Sequence, residues 1–337
     1  MGELRIVALR DHPYNDALWI RSVQRLVKKA ANDFTELCKL RGEPVILTDF
    51  HVVGSDRDES TWYLNAFPQW KLDLAPPHRI DGRTSISATD IRKMMFSSAG
   101  SYLTERNIIE NYVPSTTLDF LDRFCGAFDH EEDSGEWIDA QLEKYSDAYS
   151  QLVREYEFIE RYKASWSRAP YAPTFVTVDA VIVQSGHILV VKRGAEPGKG
   201  LWALPGGFLD QNERLLDGAI REVIEETGLS LAQGKNADKI TREILRGSMR
   251  DKEIFDAPDR SARGRTITTA FLFRLDDTKP LPKVKGMNVP AHEANGEQIV
   301  ETSAAFWLPI DRALEETHMF FEDHAHIITA LIGKKDL

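Results

Sequence analysis

A chain of 337 residues is long for one core and comfortable for two domains, and its 42% hydrophobic and 9% aromatic content is that of a globular protein. A net charge of −11 and a pI near 5.4 give it no basic face for nucleic acid, and its apolar runs fall far short of the roughly 20 residues of a membrane helix. Cys38 and Cys125 imply no disulfide framework and Met1–Arg10 has no secretory signal pattern, so a cytoplasmic protein with neither nucleic-acid nor membrane partners is expected.

In chain order, Arg5–Leu9 and Val45–Val53 read as buried strands. Between them Ala17–Ala30 sets Leu18, Val23, Leu26 and Val27 at helical spacing. Strand alternating with helix predicts a parallel α/β sheet. Asp119–Tyr162 reads as helical, with a charge-rich part at Glu131–Arg161. Ser165–Pro173 is the expected linker, because Pro170 and Pro173 interrupt that pattern. Thr174–Val183 and Ile188–Lys192 then form a hairpin across Ser185-Gly186. Thr266–Leu275 and Ala304–Leu308 read as a second strand pair, and Lys279–Gln298 as a long loop.

The chemistry is carried by Gly207–Leu229. Gly207 is followed after five residues by Glu213 and after seven more by Arg221-Glu222, then by Val223, Glu225-Glu226, Gly228 and Leu229. At about 100° per residue, Glu222 and Glu226 lie one turn apart on a helix with Glu225 beside them. Three carboxylates on one stripe repel one another, and a hard divalent cation is their natural counter-ion. A solvated acidic face explains Glu222, Glu225 and Glu226 alone; it does not explain nine specified positions agreeing at once. Gly206-Gly207 after Pro205 suits a tight loop whose backbone approaches metal or phosphate, Arg221 is placed to pair structurally with Glu213, and Gly228 is placed for a left-handed helix cap.

This segment resembles the Nudix box, the signature of hydrolases of nucleoside diphosphates linked to another moiety. The resemblance implies an α/β/α sandwich over residues 171–337, with Mg²⁺ or Mn²⁺ held by Glu222, Glu225 and Glu226, which carry the catalysis. Phe255–Thr269 and Phe321–Ile328 resemble the ADP-ribose pyrophosphatase half of a two-domain family that joins a nicotinamide mononucleotide adenylyltransferase to a Nudix hydrolase. That implies a small nucleotide substrate, ADP-ribose, cut to AMP and ribose 5-phosphate, and is compatible with a homodimer. Arg193, Arg260, Arg263 and Arg265, with Gly206 and Gly207, are the expected substrate-binding residues, arginine suiting a diphosphate bidentately. For the general base, Glu253, Asp256, Asp259 and Glu293 stand unranked. The family's acidic turn after Val-Lys-Gly is not matched, because MNVPAHEANGEQ follows Val284-Lys285-Gly286.

Residues 1–165 resemble the adenylyltransferase half, a partial Rossmann-like nucleotidyltransferase domain. Arg10–Trp19 looks like the nicotinamide-nucleotide segment, with Asn15 and Trp19 at the base. Ile86–Arg92 resembles the helix start where Ser87, Thr89 and Arg92 would bind ATP phosphates, and it reads equally as a capped helix with a surface arginine. The family's His-x-Gly-His loop occurs nowhere in the sequence. Adenylyl transfer is therefore expected to be absent or very weak, with the start lying upstream of Met1 or this half decayed. The alternatives are a bifunctional NAD-biosynthetic enzyme, or an ADP-ribose-sensing regulator without catalysis.

Overall fold

The computed structural model describes residues 9, 14, 16–44, 49–54, 59–75, 87–97, 101–126, 136–285, 290–291, 299–300 and 302–333. By contacts the chain divides into two units, residues 1–90 and 91–337. In the first, the amphipathic run expected over Ala17–Ala30 continues as α1, Asp16–Arg41. Strand β1, His51–Gly54, pairs in parallel with β2, Lys71–Leu74. Trp19 of α1 is ringed by Trp62, Tyr63 and Phe67, with ring centroids 6.0 to 6.4 Å apart. The expected strand Arg5–Leu9 lies, but for Leu9, outside the described residues.

Helix α2, Ala88–Phe96, crosses the division between units. In the second unit follow α3, Ser101–Ile109, α4, Ser115–Phe124, and α5, Glu136–Ser165. The stretch expected to be helical over Asp119–Tyr162 is broken after Phe124, where Gly126 turns the chain at φ 66°. Met95, Tyr102, Ile109, Leu121, Tyr149 and Val153 form one apolar cluster. Inside it Asp122 accepts from the Tyr102 hydroxyl at 2.6 Å and from Arg106 Nε at 2.7 Å.

The rest is a sheet between two helical layers. Its strands are β3, Phe175–Gln184, β4, His187–Arg193, β5, Trp202–Ala203, β6, Gly206–Phe208, β7, Met249–Phe255, β8, Thr266–Arg274, and, after the short ladder of β9, Pro290–Ala291, with β10, Ile299–Val300, the last strand β11, Thr302–Pro309. The main path is β11-β4-β3-β8-β7, with β5 on β4 and β6 on β3. The two strands expected to form a second pair do not meet: β8 lies parallel to β3, and β11 antiparallel to β4. Strand β7, unforeseen in the sequence, occupies the edge beyond β8, where an open face tolerates the charged run Arg250–Glu253. The β3–β4 turn falls on Ser185-Gly186, at φ 48° and 73°, which a two-residue hairpin requires.

Strand β3 is apolar on both faces. Val178, Ala180 and Ile182 pack toward Ala219, Ile220 and Val223 of α6, Leu215–Thr227, and Leu245 of α7, Ala237–Ser248. Val181 and Val183 pack toward α8, Ile310–Glu315, and α9, His324–Gly333. The box helix is thus fixed by an apolar stripe opposite its glutamates, and Gly228 caps it at φ 60°. Among the described residues no helix is long and apolar enough to cross a membrane. Ile220→Ala is expected to lower stability by about 3 kcal/mol, read as a shift of the urea midpoint at constant m-value; an unchanged midpoint would remove α6 from the core.

Candidate active site

Helix α6 places Glu222, Glu225 and Glu226 along one side, and the loop before it brings Glu213 to the same end. At their centre stands Arg221. It donates to Glu213 from Nη2 at 2.7 Å and Nε at 3.1 Å, and from Nη1 to Glu222 at 2.8 Å and Glu225 at 3.0 Å. The expected Arg221–Glu213 pair is present, and the same guanidinium also gathers two of the box carboxylates. These hydrogen bonds hold the Glu213 carboxyl below the usual carboxylate range and raise the Arg221 guanidinium above its own.

Glu226 points elsewhere. It is 5% exposed, and its Oε2 accepts the Gly206 N–H at 3.0 Å. Among the described residues, accordingly, no three metal-ligating side chains converge on one point. The donor chemistry nevertheless fits a hard divalent cation: three carboxylates share the guanidinium of Arg221 and a fourth, Glu226, stands on the same helix, an excess of hard oxygen donors. The two glycines complete a tight cradle. A Cβ on Gly207 would stand 2.5 Å from Glu222 Oε1, and one on Gly206 would stand 2.3 Å from the Val178 carbonyl oxygen. Only glycine lets the loop lie this close to both.

The loop and Glu226 border a cleft. Of the expected substrate arginines, Arg193, Arg260 and Arg263 line it and Arg265 does not, since Arg265 turns to the Asp256 carbonyl oxygen. Arg193 lies flat on Phe321, its Cζ 4.0 Å from the ring centroid, while its Nε donates to the Pro197 carbonyl oxygen at 2.8 Å. Arg260 is held by Asp323 through two bonds of 2.8 and 2.9 Å, its side chain 3% exposed, so its donors on that side already serve the fold. Arg263 faces Glu322 at 3.8 Å.

The candidate bases are not at the cleft. Glu253 lies in β7, Asp256 and Asp259 are exposed beyond it, and none of the three lines the cleft; Glu293 lies outside the described residues. The acids that do line it are Asp179, Glu226 and Glu322. Asp179 was missed by the sequence reading, although one acid in the apolar run of a central strand is itself a signal. It accepts from Thr268 Oγ1 at 2.6 Å, and its Oδ1 lies 3.9 Å from His324 Nε2. His324 in turn accepts the Leu204 N–H at Nδ1, 2.8 Å away, so a neutral ring carries its proton on Nε2, on the Asp179 side.

Of the residues expected to bind nucleotide in the first half, Ser87 caps α2: its Oγ accepts the Asp90 N–H at 3.1 Å and donates to the Asp90 carboxylate at 2.7 Å. Thr89 and Arg92 are exposed on the first turns of α2, Trp19 is half-buried in its aromatic ring, and Asn15 lies outside the described residues.

A helix carrying this carboxylate series, laid under a mixed sheet with a glycine loop closing on it, defines a Nudix fold. Residues 173–331 match the NUDIX domain, and the C-terminal part of this chain is a Nudix hydrolase domain. The ADP-ribose pyrophosphatase of Methanocaldococcus jannaschii is 28% identical over 168 residues, 48% of this chain and 87% of that protein. The bifunctional NMN adenylyltransferase/ADP ribose pyrophosphatase of Francisella tularensis, solved with AMP and a manganese ion, is 28% identical with a TM-score of 0.67 over 97% of this chain and 77% of that one. An ADPR responsive transcriptional repressor of Acinetobacter baylyi is 37% identical over 76 residues, 21% of this chain and 30% of that protein.

The cradle separates two glycines by what an added methyl would strike. Gly206→Ala meets backbone and is expected to cost about 2 kcal/mol; Gly207→Ala meets the movable end of Glu222 and should cost well under half of that. Equal melting shifts for the two would contradict the geometry. The Arg221 network also gives stability a sign in pH. Glu213 has its carboxyl depressed in the fold, so its contribution is present above about pH 4.3 and is lost as pH falls through the lower folded value. The gap in melting temperature between wild type and Glu213→Gln should therefore narrow from pH 7 to pH 3; a constant gap would exclude the ion pair as its source.

Proposed function

We propose that the cleft hydrolyses the diphosphate of ADP-ribose, releasing AMP and ribose 5-phosphate, with Mg²⁺ or Mn²⁺ held by Glu222, Glu225 and Glu226. The observation that carries this reading is the carboxylate stripe of α6 set against the Gly206-Gly207 cradle at the edge of a cleft lined by Arg193 and Arg263. ADP-ribose as substrate is supported by the relatives named for that activity, which span most of their own lengths with this chain.

When bound, the cation neutralises charge on the diphosphate and lowers the pKa of an attacking water. The protein's own groups do the rest. Arg193, stiffened by its stack on Phe321, and Arg263 present guanidinium planes to phosphate oxygens. Glu226, fixed by the Gly206 N–H, holds its carboxylate at the cleft edge rather than in solvent. Water attacks one phosphorus, the bond from that phosphorus to the bridging oxygen breaks, and the second phosphate leaves with its nucleoside or sugar.

On the same reading the Nudix domain spans residues 171–337 and acts on a small nucleotide in the cytoplasm, while residues 1–165 form a nucleotidyltransferase-like domain whose sequence holds no His-x-Gly-His. A sensor without catalysis is less consistent with a complete carboxylate series than a hydrolase is.

Purified protein with Mg²⁺ or Mn²⁺ should release AMP from ADP-ribose, and chelation should abolish the release. Glu226→Gln should lower kcat/KM by on the order of 10²–10³, the equivalent of several kcal/mol of lost charge stabilisation. ADP-ribose left intact under both metals would overturn the reading.

A further inference from the structure

We propose that one end of the cleft is a sugar subsite, in which Glu322 and Thr177 receive the vicinal hydroxyls of a ribose. This deepens the ADP-ribose reading and rests on it. Among the described residues only Ser185 and Glu322 have positive φ without being glycine, and Ser185 does so because a hairpin turn requires it. Glu322, at φ 45°, is the first central residue of the turn closed by the His324 N–H on the Phe321 carbonyl oxygen at 3.2 Å, a place that ordinarily falls to glycine or asparagine; other residues held in this region occur where the surroundings over-determine them and cluster at ligand sites.

The surroundings do over-determine it. The Phe321 N–H donates to the Trp202 carbonyl oxygen at 2.8 Å, Asp323 is clamped by the buried Arg260, and His324 Nδ1 accepts the Leu204 N–H. Three successive attachments around Glu322 fix where its carboxylate stands, and it stands on the cleft wall facing Arg263.

A second, independent feature lies at the same end. Thr177 is 8% exposed and lines the cleft, and its hydroxyl has no hydrogen-bond partner among the described residues. A buried hydroxyl left unmatched calls for a partner, and at the wall of a cleft a polar ligand group can supply one. Thr177 stands directly across from Phe208 in the β3–β6 register, so the two side chains share a face. The Phe208 ring is 40% exposed, lines the cleft, and has the Arg263 Cζ 5.5 Å from its centroid. Carboxylate, hydroxyl, open ring face and guanidinium therefore meet in one place.

This carboxylate repels a phosphate placed directly against it. It needs hydrogen-bond donors, and two adjacent hydroxyls match its two oxygens as an acidic residue matches a ribose in dinucleotide sites. The apolar face of the same sugar suits the Phe208 ring.

The test combines Glu322→Gln with substrates lacking single hydroxyls: ADP-ribose, its analogue with 2′-deoxyadenosine, and its analogue with a terminal 2-deoxyribose. Affinity is read by calorimetric titration without metal, and kcat and KM with Mg²⁺. Glu322→Gln should weaken ADP-ribose binding about tenfold or more, the loss falling mainly on KM. Against one of the two deoxy analogues, which identifies the ribose bound, the same substitution should cost less than twofold further. Thr177→Val should show the same pairing. Glu322→Gly, which relieves the positive φ, should melt no lower than wild type and share the loss of affinity, and it carries the test if the glutamine variant does not fold. Losses that add fully on both analogues, affinity unchanged in the glycine variant, or a loss that follows replacement of adenine by hypoxanthine instead of removal of a hydroxyl would each overturn the subsite. If wild type leaves ADP-ribose uncut the hydrolase reading fails by itself, and the metal-free titrations still decide the subsite.

Discussion

Four carboxylates share one helix and the loop before it, and the guanidinium of Arg221 is what allows three of them, Glu213, Glu222 and Glu225, to stand together. Lysine would not replace it. A single ammonium cannot bond Glu213 through two nitrogens while a third nitrogen reaches Glu222 and Glu225. Arg221 also donates to the Phe208 carbonyl oxygen, so the strand that forms the cleft rim is tied to the helix that carries the acids. Loop, strand and helix are therefore tied together, the Phe208 end of the cradle through Arg221 and the Gly206 end through Glu226. The rest of the site depends on this. A cation brought to Glu222 and Glu225 would share those carboxylates with Arg221, while Glu226, held by a backbone N–H, already stands apart from it.

The far wall is organised on the same physical pattern with other residues. Arg260 and Asp323 are both buried, and a buried ion pair gains little net stability over apolar residues of the same size. What it does give is direction: two parallel bonds fix the turn from Phe321 to His324, and that turn carries Glu322 into the cleft. Helix α5 braces the opposite side of this wall. Its Glu155 accepts the Gly198 N–H at 3.1 Å, and an added Cβ on Gly198 would stand 2.3 Å from Phe321. The Glu155 carboxyl is raised above its usual range chiefly by burial. An element that precedes the Nudix segment thus supports the ring on which Arg193 rests.

The box helix was legible because its constraint is local: spacing along one helix places the glutamates, and a glycine with positive φ ends it. The hairpin at Ser185-Gly186 was legible for the same reason. Sheet order was not, because strand partners are chosen by packing between distant segments; β8 and β11 look alike in sequence and sit on opposite sides of the β3–β4 hairpin. The arginines show the limit most clearly. Arg260, Arg263 and Arg265 lie within one short run, yet one is held in a buried ion pair, one lines the cleft beside Glu322, and one turns to the Asp256 carbonyl oxygen. Residue type gave the chemistry available, and only tertiary contacts allot it. Asp179 was hidden differently, since its meaning comes from Thr268 and His324, 89 residues on in one case and far beyond in the other.

An acidic protein that takes an anionic substrate must reverse its field locally, and the geometry indicates how. With a net charge of −11, the chain repels a diphosphate at long range. Within the cleft, Arg263 is opposed by Glu322 and Arg260 by Asp323, so those guanidinium charges are largely offset by carboxylates at close range. On the proposed reading a cation would add to substrate affinity as well as activate water, because it would neutralise the glutamate stripe and supply positive charge beyond that of the paired arginines. Paired arginines have a compensating use. Held in place before substrate arrives, they give up little freedom on binding, so their contribution lies in orientation. Attraction falls to the metal and selection to the fixed side chains, an arrangement in which specificity can change through residues such as Glu322 without disturbing the box helix.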